Sequence, residues 1–287
     1  MHSIQTGSTL RRCCFVTMSL IGVGLTALSG PAFAGISSAT LRPTLTFQQT
    51  GDGMALTPAD AYFAVDLIAS TGTSFSSATL AYPGAGSPLT LTSYSPELFG
   101  HVAFFANEAD MSAAFPQGTY EITALSGSSQ DVVRVELGAP AYAMSLPHLS
   151  GASFTALQGM DVASAQEITF GSFATHPDAD WSSANFRIID LSDPASLPVF
   201  MPLDATTSKV VLPAGTLQPG HRFVYHLTFS STQYDPNVQP YAVVSFDQDS
   251  FGFFSTALPV PEPVPAFLFA AGLGMLAGVV RRRRRAS

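Results

Sequence analysis

Six histidines and a few closely spaced carboxylates are the groups of this 287-residue chain best suited to acid–base or metal chemistry. Either chemistry needs several such groups converging on one point. His221 and His226 are five apart, an odd offset that sends them to opposite faces of one extended strand. His101, His148 and His176 are isolated in sequence, and His2 belongs to a leader segment. Such spacing favours surface or turn histidines over ligands. Asp178 and Asp180, and again Asp247 and Asp249, set two carboxylates at alternating positions in stretches that read as loops, a spacing that suits the oxygen coordination of Ca²⁺. Neither pair has the glycine and following glutamate of a calcium-binding loop. The chain has no Gly-x-Ser-x-Gly elbow, no His-Glu-x-x-His pair and no phosphate-binding glycine loop. No catalytic residue, metal ligand or cofactor is assigned.

Trp181, Tyr82, Tyr94, Phe99, Phe104, Phe105, Tyr234 and Tyr241 have flat faces that can stack on sugar rings. A β-sandwich core also consumes most of its aromatic side chains, and Trp181 is read here as part of that core or its edge.

The elements that must position these residues are strands. Between residues 35 and 258 the chain is rich in Ser, Thr, Ala, Gly, Pro, Phe and Tyr, with short alternating runs separated by turn residues, the pattern of an all-β protein. The clearest run is Arg222 to Phe229, where Phe223, Tyr225, Leu227 and Phe229 share one face. Further strands are expected around Val65, Ile122, Val135 and Val244. Helical turns are expected only at Pro58 to Asp66 and at Asn107 to Ala114.

Two proline-glycine corners lead into strands, Phe115-Pro116-Gln117-Gly118-Thr119-Tyr120 and Leu217-Gln218-Pro219-Gly220-His221-Arg222-Phe223. The second resembles the Leu-x-Pro-Gly-x-x-Tyr turn of fibronectin type III and related immunoglobulin-like sandwiches, with Phe223 in place of the tyrosine. Tyr120 could supply the corner hydroxyl in the first. The corners lie about 100 residues apart, near the length of one sandwich domain. Tandem immunoglobulin or fibronectin III-like β-sandwiches are therefore expected, over residues 35–142 and 143–258; one larger sandwich is the alternative.

The two ends of the chain carry addresses. Residues 1–34 read as a secretory signal peptide: Arg11 and Arg12, an apolar stretch, then Ala32-Phe33-Ala34 with cleavage between Ala34 and Gly35. Both cysteines, Cys13 and Cys14, leave with it, so the mature chain has no disulfide. At the other end, Val264 to Val280 is uncharged and spans about 26 Å as a helix, a short transmembrane segment. Five cations, Arg281, Arg282, Arg283, Arg284 and Arg285, follow at once and hold the tail on the cytoplasmic side.

Pro261-Glu262-Pro263, the apolar span and the terminal arginine run together resemble the PEP-CTERM sorting signal of Gram-negative bacteria, over residues 259–287. That resemblance implies recognition of Pro261, Glu262 and Pro263 by an exosortase, a membrane protease, and an association with exopolysaccharide and biofilm. It implies a precursor held transiently in the inner membrane and a mature form at the cell surface or in the extracellular matrix. The two prolines fit the role physically, because they keep the peptide extended and out of helix or sheet.

The whole chain has a net charge of −8, but the body between the signals holds five basic against nineteen acidic residues. A surface of that sign repels nucleic acid phosphates. The leading expectation is a non-enzymatic surface or matrix protein. A carbohydrate-binding or adhesive module is the alternative and calls for a solvent-exposed aromatic row on one sheet. A secreted hydrolase comes third.

Overall fold

The computed structural model describes residues 35–52, 55–234 and 241–258. Among the described residues the fold is all-β with two short helices. Among the described residues no helix is long and apolar enough to cross a membrane. The expected signal helix and transmembrane helix, in residues 1–34 and 264–280, lie outside the described residues.

In chain order the first set of strands is β1 (Ile36–Gln49), β2 (Leu56–Ala69), β3 (Ser77–Ala81), β4 (Leu89–Thr90), β5 (Thr92–Ser95), β6 (Leu98–Phe105), β7 (Gly118–Ser126) and β8 (Ser129–Leu137). Helix α1 (Glu108–Ala114) lies between β6 and β7. Its N-terminus is where the sequence places it, because the Asn107 side chain accepts the Asp110 N–H at 3.0 Å. The second set is β9 (Gln166–Thr169), β10 (Trp181–Asp190), β11 (Val199–Leu203), β12 (Lys209–Leu212), β13 (Arg222–Tyr234) and β14 (Tyr241–Ser255), preceded by helix α2 (Gly151–Leu157).

The strand orders follow an immunoglobulin-like plan twice. Sheet β1-β2-β6-β5 faces sheet β4-β3-β7-β8, the A-B-E-D against C′-C-F-G arrangement. In the second set β11-β10-β13-β14 forms C′-C-F-G and β12-β9 forms E-B. The corner at Leu217–Arg222 thus leads into the F strand, as its resemblance implies. Gly220 there has φ +76°, a left-handed value that glycine adopts without steric cost. At the other corner the Tyr120 hydroxyl donates to the Pro116 carbonyl at 2.8 Å, closing a tyrosine corner.

These two plans are not separate bodies joined by a string. Strand β14 pairs in parallel with β1, from Ser38 opposite Tyr241 to Gln48 opposite Phe251, and this fuses one sheet of each set into a single eight-stranded sheet. Both smaller sheets cover the same, inner face of it. One hydrophobic core lies under β3, β7 and β8 and draws Ala242, Val244 and Phe246 from β14. The other lies under β9, β12 and α2, around Phe186, Tyr225, Leu227 and Phe229, and draws Phe254 from the same strand.

Residues 138–147 run across the inner face between the two cores. Tyr142 meets Phe246 edge-on at 5.4 Å. The Gln248 amide, oriented to donate, reaches the Ala143 and Ser145 carbonyls at 3.2 and 3.1 Å. Just beyond, Gln49 at the end of β1 imitates a strand: its Nε2 donates to the Leu149 carbonyl and its Oε1 accepts the Leu149 N–H, both at 2.9 Å. The same Oε1 accepts the Tyr225 hydroxyl at 2.8 Å. Gly252, opposite Tyr225 on β14, makes room for that ring, since a Cβ there would lie 2.7 Å from it.

One expected helical turn is corrected. Residues Pro58 to Asp66 belong to strand β2, paired with β1 along its length and, from Ala61 on, with β6 as well. Phe63, Val65 and Leu67 point into the core while Tyr62, Ala64 and Asp66 point away, so period two prevails over the local helical spacing.

Gln49 is buried with 2% exposure, so losing its amide strands three polar groups at once. Gln49→Leu is expected to lower stability by roughly 3–5 kcal/mol, and Tyr225→Phe by about 1 kcal/mol. Urea unfolding monitored by tryptophan fluorescence and circular dichroism measures both; equal small losses would show that the clamp contributes nothing.

Candidate functional site

The outer face of the eight-stranded sheet, turned away from both cores, gathers most of the residues with chemical potential. Register sets its composition. On β1 the outward residues are Thr40, Arg42, Thr44 and Thr46, and on β14 they are Ser245, Asp247 and Asp249, flanked by Tyr62 and Asp66 on β2 and by His226, Thr228 and Ser230 on β13.

These side chains form a largely buried polar belt. Arg42 Nη2 lies 2.8 Å from Asp66 Oδ2 and its Nε lies 3.6 Å from Asp247 Oδ2, so one guanidinium ties β2 to β14 across β1. Ser245 donates to Asp247 at 2.7 Å. Asp249 sits 2.7 Å from His226 Nδ1 and accepts the Thr228 hydroxyl at 2.9 Å. Burial works against the Arg42 charge, but Asp66 and Asp247 outweigh it and raise its pKa. Burial pushes the Asp247 carboxyl up, against the pull of Arg42 and of hydrogen bonds from Ser245 and Ser230. Burial, with Asp249 and Asp247 nearby, pushes the Tyr62 hydroxyl up as well.

Asp247 and Asp249 are thus not loop carboxylates. They occupy the middle of β14 between β13 and β1, which is tolerable because Arg42, His226 and three hydroxyl groups stand within reach. The calcium-loop reading of this pair is corrected accordingly. Asp178 and Asp180 do lie in a turn, where Asp180 accepts the Tyr234 N–H at 3.0 Å. Among the described residues no cluster of three or more His, Cys, Asp or Glu side chains is arranged to hold a metal.

His221 and His226 do not converge on one point. His226 faces outward from β13 and meets Asp249, whereas His221 precedes the strand and meets Asp190 Oδ2 at 2.7 Å. The other Asp190 oxygen accepts the Ser192 and Asp193 N–H groups, so this pair braces a chain reversal. His148 contacts the Leu146 carbonyl at 2.9 Å and His176 accepts the Asp178 N–H at 3.2 Å, both local turn contacts. His101 is half-buried on β6, and burial lowers its pKa.

Around the polar belt the outer face carries exposed aromatic rings at opposite ends. Trp181 on β10 and Tyr234 on β13 are 44% and 45% exposed, and Phe200 on the edge strand β11 is similarly open. At the other end Tyr94 is 54% exposed and its ring covers Gly100, while Phe104 packs at 5.8 Å from Tyr62. Trp181 is therefore not the buried sandwich tryptophan. It begins β10 at the rim of the sheet, beyond the second core.

Of the expected processing and sorting residues only Gly35 is described. It is buried, its carbonyl accepts the Ser70 N–H at 2.7 Å, and a methyl group built on it would overlap the Asp131 carboxylate. Ala34, Pro261, Glu262, Pro263 and Arg281 to Arg285 lie outside the described residues.

No protein-family model matches the chain, and no curated protein matches it. Among solved structures, a two-domain fibronectin type III segment of chicken tenascin aligns over 75% of this chain and 99% of its own, with 11% identity and a TM-score of 0.24. The FN1–FN3 domains of chicken CNTN1 align over 77% and 68%, with 10% identity and a TM-score of 0.25.

Removing Arg42 leaves two nearby aspartates without their cation. Arg42→Met is expected to cost about 2–3 kcal/mol at pH 7, between the values for exposed and fully buried pairs. The sign with pH follows from Asp247, whose folded pKa is already raised and rises further without Arg42. Its protonated form favours the fold, so the deficit should shrink as pH falls and Asp247 loses its charge. Chemical unfolding of both proteins between pH 3.5 and 7 reads this; a constant difference would contradict it.

Proposed function

We propose that this chain is the precursor of an exported, non-enzymatic surface or matrix protein. Its body serves as a two-sandwich binding or scaffold module. The observation that carries this reading is the continuous eight-stranded sheet: it sets the two modules in one fixed relation and presents five exposed aromatic rings on the face away from both cores. A rigid, strongly acidic body of this kind, bracketed in sequence by an export signal and a sorting signal, suits display outside the cell. By resemblance to PEP-CTERM proteins, an exosortase processes the tail near Pro261-Glu262-Pro263, and the mature protein takes its place with exopolysaccharide in the envelope or biofilm.

The sandwich plan supports the architectural part of this reading, two immunoglobulin or fibronectin III-like modules over 35–142 and 143–258. The tyrosine corner at Tyr120 and the F-strand turn at Gly220 are its local marks. Both His-Asp pairs have structural duties, His221 at a chain reversal and His226 within the polar belt, which argues for binding over hydrolysis.

A second reading, a carbohydrate-binding or adhesive module, is favoured by the exposed aromatic rings in particular. They form two groups at opposite ends of the outer face instead of one row, with serine, threonine and paired aspartate side chains between them. Flat exposed rings match the apolar faces of sugar rings.

Intact-mass measurement on protein from its native host tests the first reading: loss of residues 1–34 and of the segment beyond about Pro261 is expected, and an uncut tail would overturn exosortase sorting. For the second, retention on immobilised host exopolysaccharide should fall at least tenfold in Trp181→Ala or Phe104→Ala protein with an unchanged melting temperature, corresponding to about 1.4 kcal/mol. No retention of the wild-type protein would remove that reading.

A further inference from the structure

Asp131, near the start of β8, is a half-buried carboxylate, and it has no cation and no hydrogen-bond donor among the described residues. It sits across the first sandwich from β1, directly against the Cα of Gly35, the residue before that strand. A Cβ on Gly35 would fall on Asp131 Oδ2. Backbone nitrogen and Cβ are both bonded to Cα and about 2.5 Å apart, so that oxygen lies within roughly 4.5 Å of the Gly35 nitrogen. Phe75 closes the site from one side, and the Gly35 carbonyl is fixed by the Ser70 N–H. In the uncut chain that nitrogen is a neutral amide.

We infer that Asp131 is the receptor for the α-ammonium group of the processed chain. The inference rests on export processing at Ala34–Gly35. Cleavage adds water across that peptide bond: the Ala34 carbonyl carbon takes the hydroxyl and becomes a carboxylate, and the Gly35 nitrogen takes protons and becomes an ammonium near neutral pH. The new cation is then within a small rotation of Asp131. The ion pair joins the first residue of the mature chain to β8 on the opposite sheet, closing the first sandwich only after the leader is gone. In a body with five basic and nineteen acidic residues, this terminus supplies a sixth cation where a carboxylate lacks one.

Gly35 also suits the position sterically, since a larger residue would displace the carboxylate it must meet. The pair would hold the leading end of β1, whose far end carries Gln49.

One feature of composition makes the test clean: Lys209 is the sole lysine, so after Lys209→Arg the only amine of the processed protein is its N-terminus. Arginine preserves the surface pair with Glu167. The full chain with its own leader is exported, and the mature form is purified and its first residue identified. Acetylation of the amine, which removes the charge, should lower the melting temperature by about 2–4 °C, the scale of a partly exposed ion pair in a domain of this size. Reductive dimethylation, which keeps the charge, should leave it within 1 °C, roughly the resolution of the melt. Asp131→Asn should itself lower the melting temperature by a similar amount and abolish the effect of acetylation. A mature chain that starts elsewhere overturns the processing premise. A chain that starts at Gly35 but responds to acetylation equally with Asp131→Asn, or not at all, leaves processing intact and overturns the ion pair.

Discussion

The parallel pairing of β1 with β14 is the constraint on which the rest of this molecule depends. An immunoglobulin-like sandwich leaves edge strands whose unpaired N–H and C=O groups recruit other chains. Here two such edges satisfy each other. The first strand of one module and the last of the other share a ladder, so the modules have one sheet, one outer face and little freedom to rotate. Both cores then form on the same side, because the small sheets must each cover the inward residues of the strands beside them.

Two glutamines secure the seam. Gln248 holds residues 143–145 against the inner face, and Gln49 holds Leu149 by both of its backbone groups while receiving Tyr225. A buried backbone segment must find partners for its polar groups, and between two separate cores no strand is available to supply them. A primary amide offers a donor and an acceptor with the spacing of a peptide group, which is why this residue type works here. The clamp connects β1, the crossing segment and β13, elements 100 to 176 residues apart in sequence.

On the opposite face charge is handled by pairing instead of exposure. Arg42 serves two aspartates from neighbouring strands, and His226 with Thr228 serves a third. These interactions leave the centre of the face paired and buried, while Trp181, Tyr234, Phe104 and Tyr94 stand exposed toward the rims.

Much of this was legible without coordinates. Alternation of Phe223, Tyr225, Leu227 and Phe229 determines a strand with one apolar face, the Asn107 side chain marks the start of a helix, and Pro219-Gly220 marks the corner into the F strand, because each is a property of neighbouring residues. Period two states which side of a strand is buried; it does not state which strand lies beside it. Only the tertiary structure decided that β1 meets β14, that Asp247 and Asp249 lie mid-strand opposite Arg42 and His226, that Pro58 to Asp66 is extended, and that Trp181 is at the rim. Those outcomes turn on partners far away in the chain, and the free energy of pairing and burial that selects them is absent from any local window.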